Sequence, residues 1–101
     1  MQRKQFKLQA NVWLHPGENA SWHFVTVPKK ESTQITKQFK SMKKGWGSLP
    51  VEVKIGKTTW TTSIFPDSTS GTYLLPLKAK VRRAEGIEEG DTVSVTLTIT
   101  V

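Results

Sequence analysis

The sequence predicts a mainly β fold: a small antiparallel barrel, closed or split, of about six to seven strands with two short helices. Three observations carry this. Apolar residues alternate with polar ones from Phe6 to Leu14 and again from Thr92 to Val101, the period of a half-buried strand. Gly56-Lys57 stands between two further alternating runs, as a two-residue hairpin turn requires. Two stretches change to helical period, and each follows a strand that ends at a proline and precedes a glycine.

In chain order, Phe6, Leu8, Ala10, Val12 and Leu14 share one face of the first strand, with Lys7, Gln9, Asn11 and Trp13 on the other. His15-Pro16-Gly17-Glu18-Asn19 reverses the chain. Ser21 to Val27 returns, with Trp22, Phe24 and Thr26 on one face and His23, Val25 and Val27 on the other, and Pro28 ends it. From Lys29 to Lys44, Ile35, Phe39 and Met42 form a helical stripe, with Ser32 or Lys30 at the start and Gly45 as the stop. Gly45-Trp46-Gly47-Ser48 is a loop without the Lys-Ser/Thr of a phosphate-cradling motif.

Leu49 to Ile55 and Thr58 to Phe65 form the hairpin around Gly56, which takes the positive φ of a type II′ turn. Trp60, Thr62 and Ile64 share a face. Residues 66–71 read as a polar loop and the most mobile segment. Thr72 to Leu77 is a short strand in which Pro76 marks an edge or an end. Lys78 to Glu85 is a short helix stopped by Gly86, Ile87 plugs the core, and Gly90-Asp91 makes the last reversal. Strand, proline, basic helix, glycine and strand thus occur twice, from Trp22 to Val53 and from Tyr73 to Val95, which suggests an internal pseudo-twofold.

The 101 residues fit a single domain spanning 1–101. With no cysteine, disulfides, thiolate metal sites and cysteine nucleophiles are excluded. No apolar run approaches the roughly 20 residues of a membrane span, and Met1 to Gln5 leads into no signal-peptide run, so a cytoplasmic protein without a membrane partner is expected.

The formal charge of +7 favours polyanionic partners, DNA or RNA among them. Lys30, Lys37, Lys40 and Lys44 fall on one arc of the first helix, and Lys78, Lys80, Arg82 and Arg83 cluster on the second. Trp46 and Trp13 add aromatic surfaces on which bases stack. The rival expectation is a ligand-binding or protein-interaction module whose barrel mouth is lined by Trp13, Trp22, Trp60 and Tyr73.

Catalysis is not expected. His15 and His23 have no sequence neighbours arranged for a triad or a metal, and no cofactor motif is present. Glu85, Glu88, Glu89 and Asp91 cluster at one turn without calcium-loop spacing.

A resemblance adds to this. Trp22-x-Phe24-x-x-Val27-Pro28, Ile55-Gly56-x-x-x-Trp60-x-x-Ser63, Gly71-x-Tyr73-x-Leu75-Pro76-Leu77 and Val81-Arg82-x-Ala84-x-Gly86-Ile87-x-x-Gly90-Asp91-x-Val93 resemble a small bacterial family, domain of unknown function nineteen-oh-five. The resemblance implies a double-split β-barrel beside the AbrB and MazE type of DNA-binding proteins, with no activity assigned. Pro76, Arg82, Arg83, Gly86, Ile87, Gly90 and Asp91 are similar to the AbrB-type tail, but five residues separate Pro76 from Arg82, where that pattern has about three. AbrB-type barrels need two chains. This one carries both halves, which predicts a monomer rather than an obligate dimer.

Overall fold

A computed structural model describes residues 4–16, 21–39 and 47–100. The strands are β1 (Lys4–Pro16), β2 (Ser21–Val27), β3 (Leu49–Ile55), β4 (Thr58–Asp67), β5 (Thr72–Pro76) and β6 (Thr92–Ile99); the helices are α1 (Lys29–Phe39), after β2, and α2 (Ala79–Glu85), after β5. The strands close into one antiparallel barrel in the order β1-β2-β5-β4-β3-β6.

Two strands belong to both walls of this barrel. Residues 4–11 of β1 pair with β6, while Val12–Pro16 pair with β2. Residues 58–64 of β4 pair with β3, while Phe65–Asp67 pair with β5. One wall is therefore β1-β6-β3-β4 and the other β1-β2-β5-β4. Exchanging β1 with β4, β2 with β5 and β3 with β6 maps the ring onto itself, so the doubled sequence pattern corresponds to a real pseudo-twofold. Matching bonds set its register. Ser32 Oγ donates to the Val27 carbonyl five residues earlier at 2.9 Å, and Arg82 Nε donates to the Leu77 carbonyl five residues earlier at 3.3 Å. Backbone bonds from Ser32 N to Pro28 O and from Arg82 N to Lys78 O repeat the correspondence.

Alternation puts one face of every strand inside. Phe6, Leu8, Val12, Val25, Val27, Val51, Val53, Ile64, Leu75, Val95, Leu97 and Ile99 form a buried cluster, sealed by Ile35 and Phe39 of α1 and by Leu77 and Ile87 around α2. Burial of these apolar side chains is the main force holding the barrel closed.

Several expectations hold. Gly56 has φ +58 while Lys57, like every non-glycine residue among those described, does not have positive φ, as a type II′ turn demands. Gly86 caps α2 in the left-handed conformation, with Ile87 N bonded to Arg82 O.

Others are corrected. Ser32 is not the cap of α1: the helix starts at Lys29, and Ser32 lies buried in its first turn. Pro76 ends β5, but not at an edge, because β5 lies between β2 and β4. The expected loop 66–71 is shorter: β4 continues through Asp67, and a tight turn follows. There the Asp67 carboxylate accepts bonds from Thr69 N at 3.3 Å and Ser70 Oγ at 2.8 Å, while Gly71 N donates to Asp67 O at 2.8 Å. Asp67 is both strand end and turn anchor, a local competition that side-chain oxygens of aspartate often win.

Candidate nucleic-acid interface

The two outer faces of the barrel differ. Across β1-β6-β3-β4 the outward positions are Gln5, Lys7, Gln9, Asn11, Thr92, Ser94, Glu52, Lys54, Thr59 and Thr61, a wet face of hydroxyls, amides and charges. Thr92 Oγ1 donates to Asn11 Oδ1 at 2.6 Å across it. Across β1-β2-β5-β4 the outward positions are Trp13, His15, Trp22, Phe24, Thr26, Leu74, Pro76 and Phe65.

Strand register makes this second face. Trp13 pairs with Phe24 and His15 with Trp22, so all four side chains project from the same side of the β1-β2 hairpin. The Trp13 and Phe24 rings lie 5.1 Å apart, tilted by 32°, and His15 meets Trp13 edge-on at 6.4 Å. Trp13 Nε1 donates to Thr26 Oγ1 at 2.8 Å, tying the indole to β2. Trp22 has no such cover and is 57% exposed, and Phe65 at the far side is 42% exposed.

At one end of this face α2 comes into reach. Trp22, His23, Pro76, Leu77, Lys78 and Arg82 line a largely apolar cleft of about 210 Å3. On α2, Val81 is buried against the body, and Lys78 and Arg82 sit on the flank turned toward Trp22. Arg82 is half-buried, and with its Nε held by the Leu77 carbonyl its terminal nitrogens remain available for a ligand. His23 points inward, opposite Leu14, and its Nδ1 is buried without a hydrogen-bond partner among the described residues.

The sequence-expected residues distribute as follows. Lys78 and Arg82 are brought to the cleft, while Lys80 and Arg83 are exposed on other faces of α2. Lys30 and Lys37 are exposed on α1, which starts at the opposite end of the β2-β5 pair, since Val27 is opposite Tyr73 and Phe24 is opposite Pro76. Lys40, Lys44 and Trp46 lie outside the described residues. The four aromatics expected at one barrel mouth do not converge: Trp60 and Tyr73 point into the core, whereas Trp13 and Trp22 point out. The reason is parity, since Trp60 is opposite the buried Val53 and Tyr73 opposite the buried Val27.

The pairing of Trp22 with Lys78 and Arg82, and the part played by Pro76 and Phe24, escaped the sequence reading. β2 is apolar on both faces, and only the register of the β1-β2 hairpin says which side is outside. Two of the four acids at the turn, Glu85 and Asp91, are accounted for by hydrogen bonds within the fold. Glu85 Oε2 accepts from Thr58 Oγ1 at 2.6 Å and from Lys57 N at 3.2 Å, and Asp91 Oδ2 accepts from Glu88 N at 2.8 Å. Among the described residues no three His, Asp or Glu side chains gather as a metal site would need. No described helix is long and apolar enough to cross a membrane.

Comparison with known proteins identifies the chain's family. The model of a family described as "Domain of unknown function (DUF1905)" matches residues 8–97, and the chain belongs to that family. No curated protein matches the chain.

Proposed function

We propose that the protein binds single-stranded nucleic acid, DNA or RNA, at the Trp22 end of the outer face of β1-β2-β5-β4 and on the adjoining flank of α2. The observation that carries this is the position of Trp22, the most exposed large apolar side chain among the described residues, in one cleft with Lys78 and Arg82. Unstacked bases gain about 1–3 kcal/mol each on an aromatic platform, and cations beside it meet the phosphates. A duplex offers no free base face to Trp22, so single strands are favoured over double strands. Lys80, Arg83 and the α1 lysines Lys30 and Lys37 extend the positive field that attracts the strand. This reading takes the protein to act in the cytoplasm as a binding module without catalysis; Arg82 and Arg83 resemble the AbrB-type pattern of DNA-binding proteins, with a longer spacing from Pro76.

The test is a titration of a labelled ten-nucleotide oligomer at about 50 mM salt, followed by anisotropy. Binding that weakens linearly in log-log against salt, with a slope of about −1.5 to −2 for two to three phosphates contacted, is expected. Absence of binding to any single strand at that salt refutes the reading. A protein-interaction module is the second reading, favoured by Phe65 and Leu74, which continue the apolar outer face away from the cations. Phe65→Ala separates the two: it leaves oligomer binding unchanged if the strand lies at the Trp22 end.

A further inference from the structure

We infer that the cleft between Trp22, Pro76 and α2 is a pocket for one nucleotide: a flat heteroaromatic ring against the Trp22 indole, its attached phosphate at Lys78 and Arg82. This rests on the nucleic-acid reading and goes beyond it, because a basic surface with a stacking platform needs no pocket at all.

The internal symmetry supplies the first argument. In the α1 half, the positions equivalent to Arg82, His23 and Trp22 are Ser32, Tyr73 and Thr72. That junction is shut. Ser32 is 0% exposed, Tyr73 2% and Thr72 8%. The Ser32 hydroxyl donates to Val27 O and accepts from Tyr73 N at 3.1 Å, stitching helix to strand. The same fold therefore has a way of closing this junction, and the α2 half does not use it. It keeps a cleft and lines it with an indole, a proline ring and two cations. An open junction is no requirement of the barrel.

Size and chemistry give the second. At about 210 Å3 the cleft lies below the roughly 300 Å3 at which drug-sized sites begin, so it suits a single planar ring system. Its walls are apolar and its cations sit on one side, which is the distribution of a nucleotide and not that of a bare phosphate. The guanidinium is pre-oriented by the bond from Arg82 Nε to Leu77 O, which lowers the ordering cost on binding. His23 adds an imidazole whose buried Nδ1 has no hydrogen-bond partner among the described residues, so no described bond on that side holds the ring against adjusting to a ligand.

Free nucleotides and nucleotides within a strand share this chemistry, and one competition experiment separates them. A labelled oligomer is displaced from the intact protein by nucleoside 5′-monophosphates or by ribose 5-phosphate, with direct calorimetric titration of each competitor in parallel. The monophosphates are expected to bind roughly tenfold more tightly than ribose 5-phosphate, the loss of one stacked base. Trp22→Ala, at an exposed position that folding does not need, removes that difference. Ala79→Phe, which narrows the cleft from an exposed helical site, weakens the monophosphates and spares ribose 5-phosphate. If monophosphate and ribose 5-phosphate bind equally while the oligomer still binds, the pocket is refuted and the strand-binding surface stands. If monophosphates bind and no oligomer does, the pocket stands and strand binding is refuted. If neither binds, both fall.

Discussion

The two helix–strand junctions of this barrel are built to one plan and finished differently. Where α1 meets β5, a buried serine hydroxyl bridges a carbonyl and an amide, and the neighbouring Thr72 and Tyr73 are covered. Where α2 meets β2, an arginine keeps the bond to the carbonyl, but its bulk and charge stay at the surface, and the neighbouring tryptophan is open to solvent. One junction holds the fold together, whereas the other is available to do something else. A protein that repeats a unit within one chain can retain structure in one copy and spend the other on binding, since the barrel needs only the shared core.

That division can be broken at graded cost. The largest effect is expected in the core common to both halves. Leu75, equivalent to Val25 and fully buried, loses packing and leaves a cavity as Leu75→Ala, at about 2–5 kcal/mol in a urea melt. Next comes the structural junction. Ser32→Ala removes the acceptor of the Tyr73 amide and the donor to Val27 O in a buried site, at about 1–3 kcal/mol by the same measurement, with oligomer binding unchanged. Smaller still is the tie between α2 and the β3-β4 turn. Glu85→Ala removes the acceptor of Thr58 Oγ1 and Lys57 N at a partly exposed site and costs about 0.5–1.5 kcal/mol. Because Glu85 holds the helix that carries Arg82, this variant is also expected to weaken oligomer binding about two- to threefold, within the non-additive coupling of neighbours. The smallest effects on stability fall at the open junction, where Arg82→Ser costs about 0.5–1 kcal/mol through the lost bond to Leu77 O and Trp22→Ala, at an exposed position, no more than about 0.5 kcal/mol.

Much of the fold was legible in the residues. Period-two runs locate β1, β3 and β6, and Gly56-Lys57 marks a hairpin whose type II′ turn fits positive φ at Gly56 and not at Lys57. The doubled strand–proline–helix–glycine pattern anticipated the pseudo-twofold. What sequence periodicity does not encode is which face of a strand with two apolar sides turns inward. For β2 that depends on the neighbouring strand, and so periodicity alone leaves Trp13, Trp22, Trp60 and Tyr73 at one mouth although two are inside and two outside. Ser32 departs from the expected cap for a related reason. A serine near a helix start is usually a cap, but here the chain enters the helix from Pro28, and the hydroxyl is recruited by a partner 41 residues away, at Tyr73. Long-range bonds of this kind leave no local signature. Of the candidate cations, the cluster at Lys78 to Arg83 was visible as a charge run, but only the packing of Val81 decides that Lys78 and Arg82 face Trp22.

The most direct measurement compares two arginines that differ in sequence by one position and in formal charge not at all. Arg82→Ser, which gives the α2 half the side chain of its α1 counterpart, and Arg83→Ser each remove one positive charge. Oligomer affinity is measured for both at the same salt, with urea melts confirming that each variant is folded. A loss of about tenfold or more for Arg82→Ser, against about twofold for Arg83→Ser, is expected if the cleft is the binding site. Equal losses from the two would mean that only net charge is being read, and would contradict the assignment of function to the open junction.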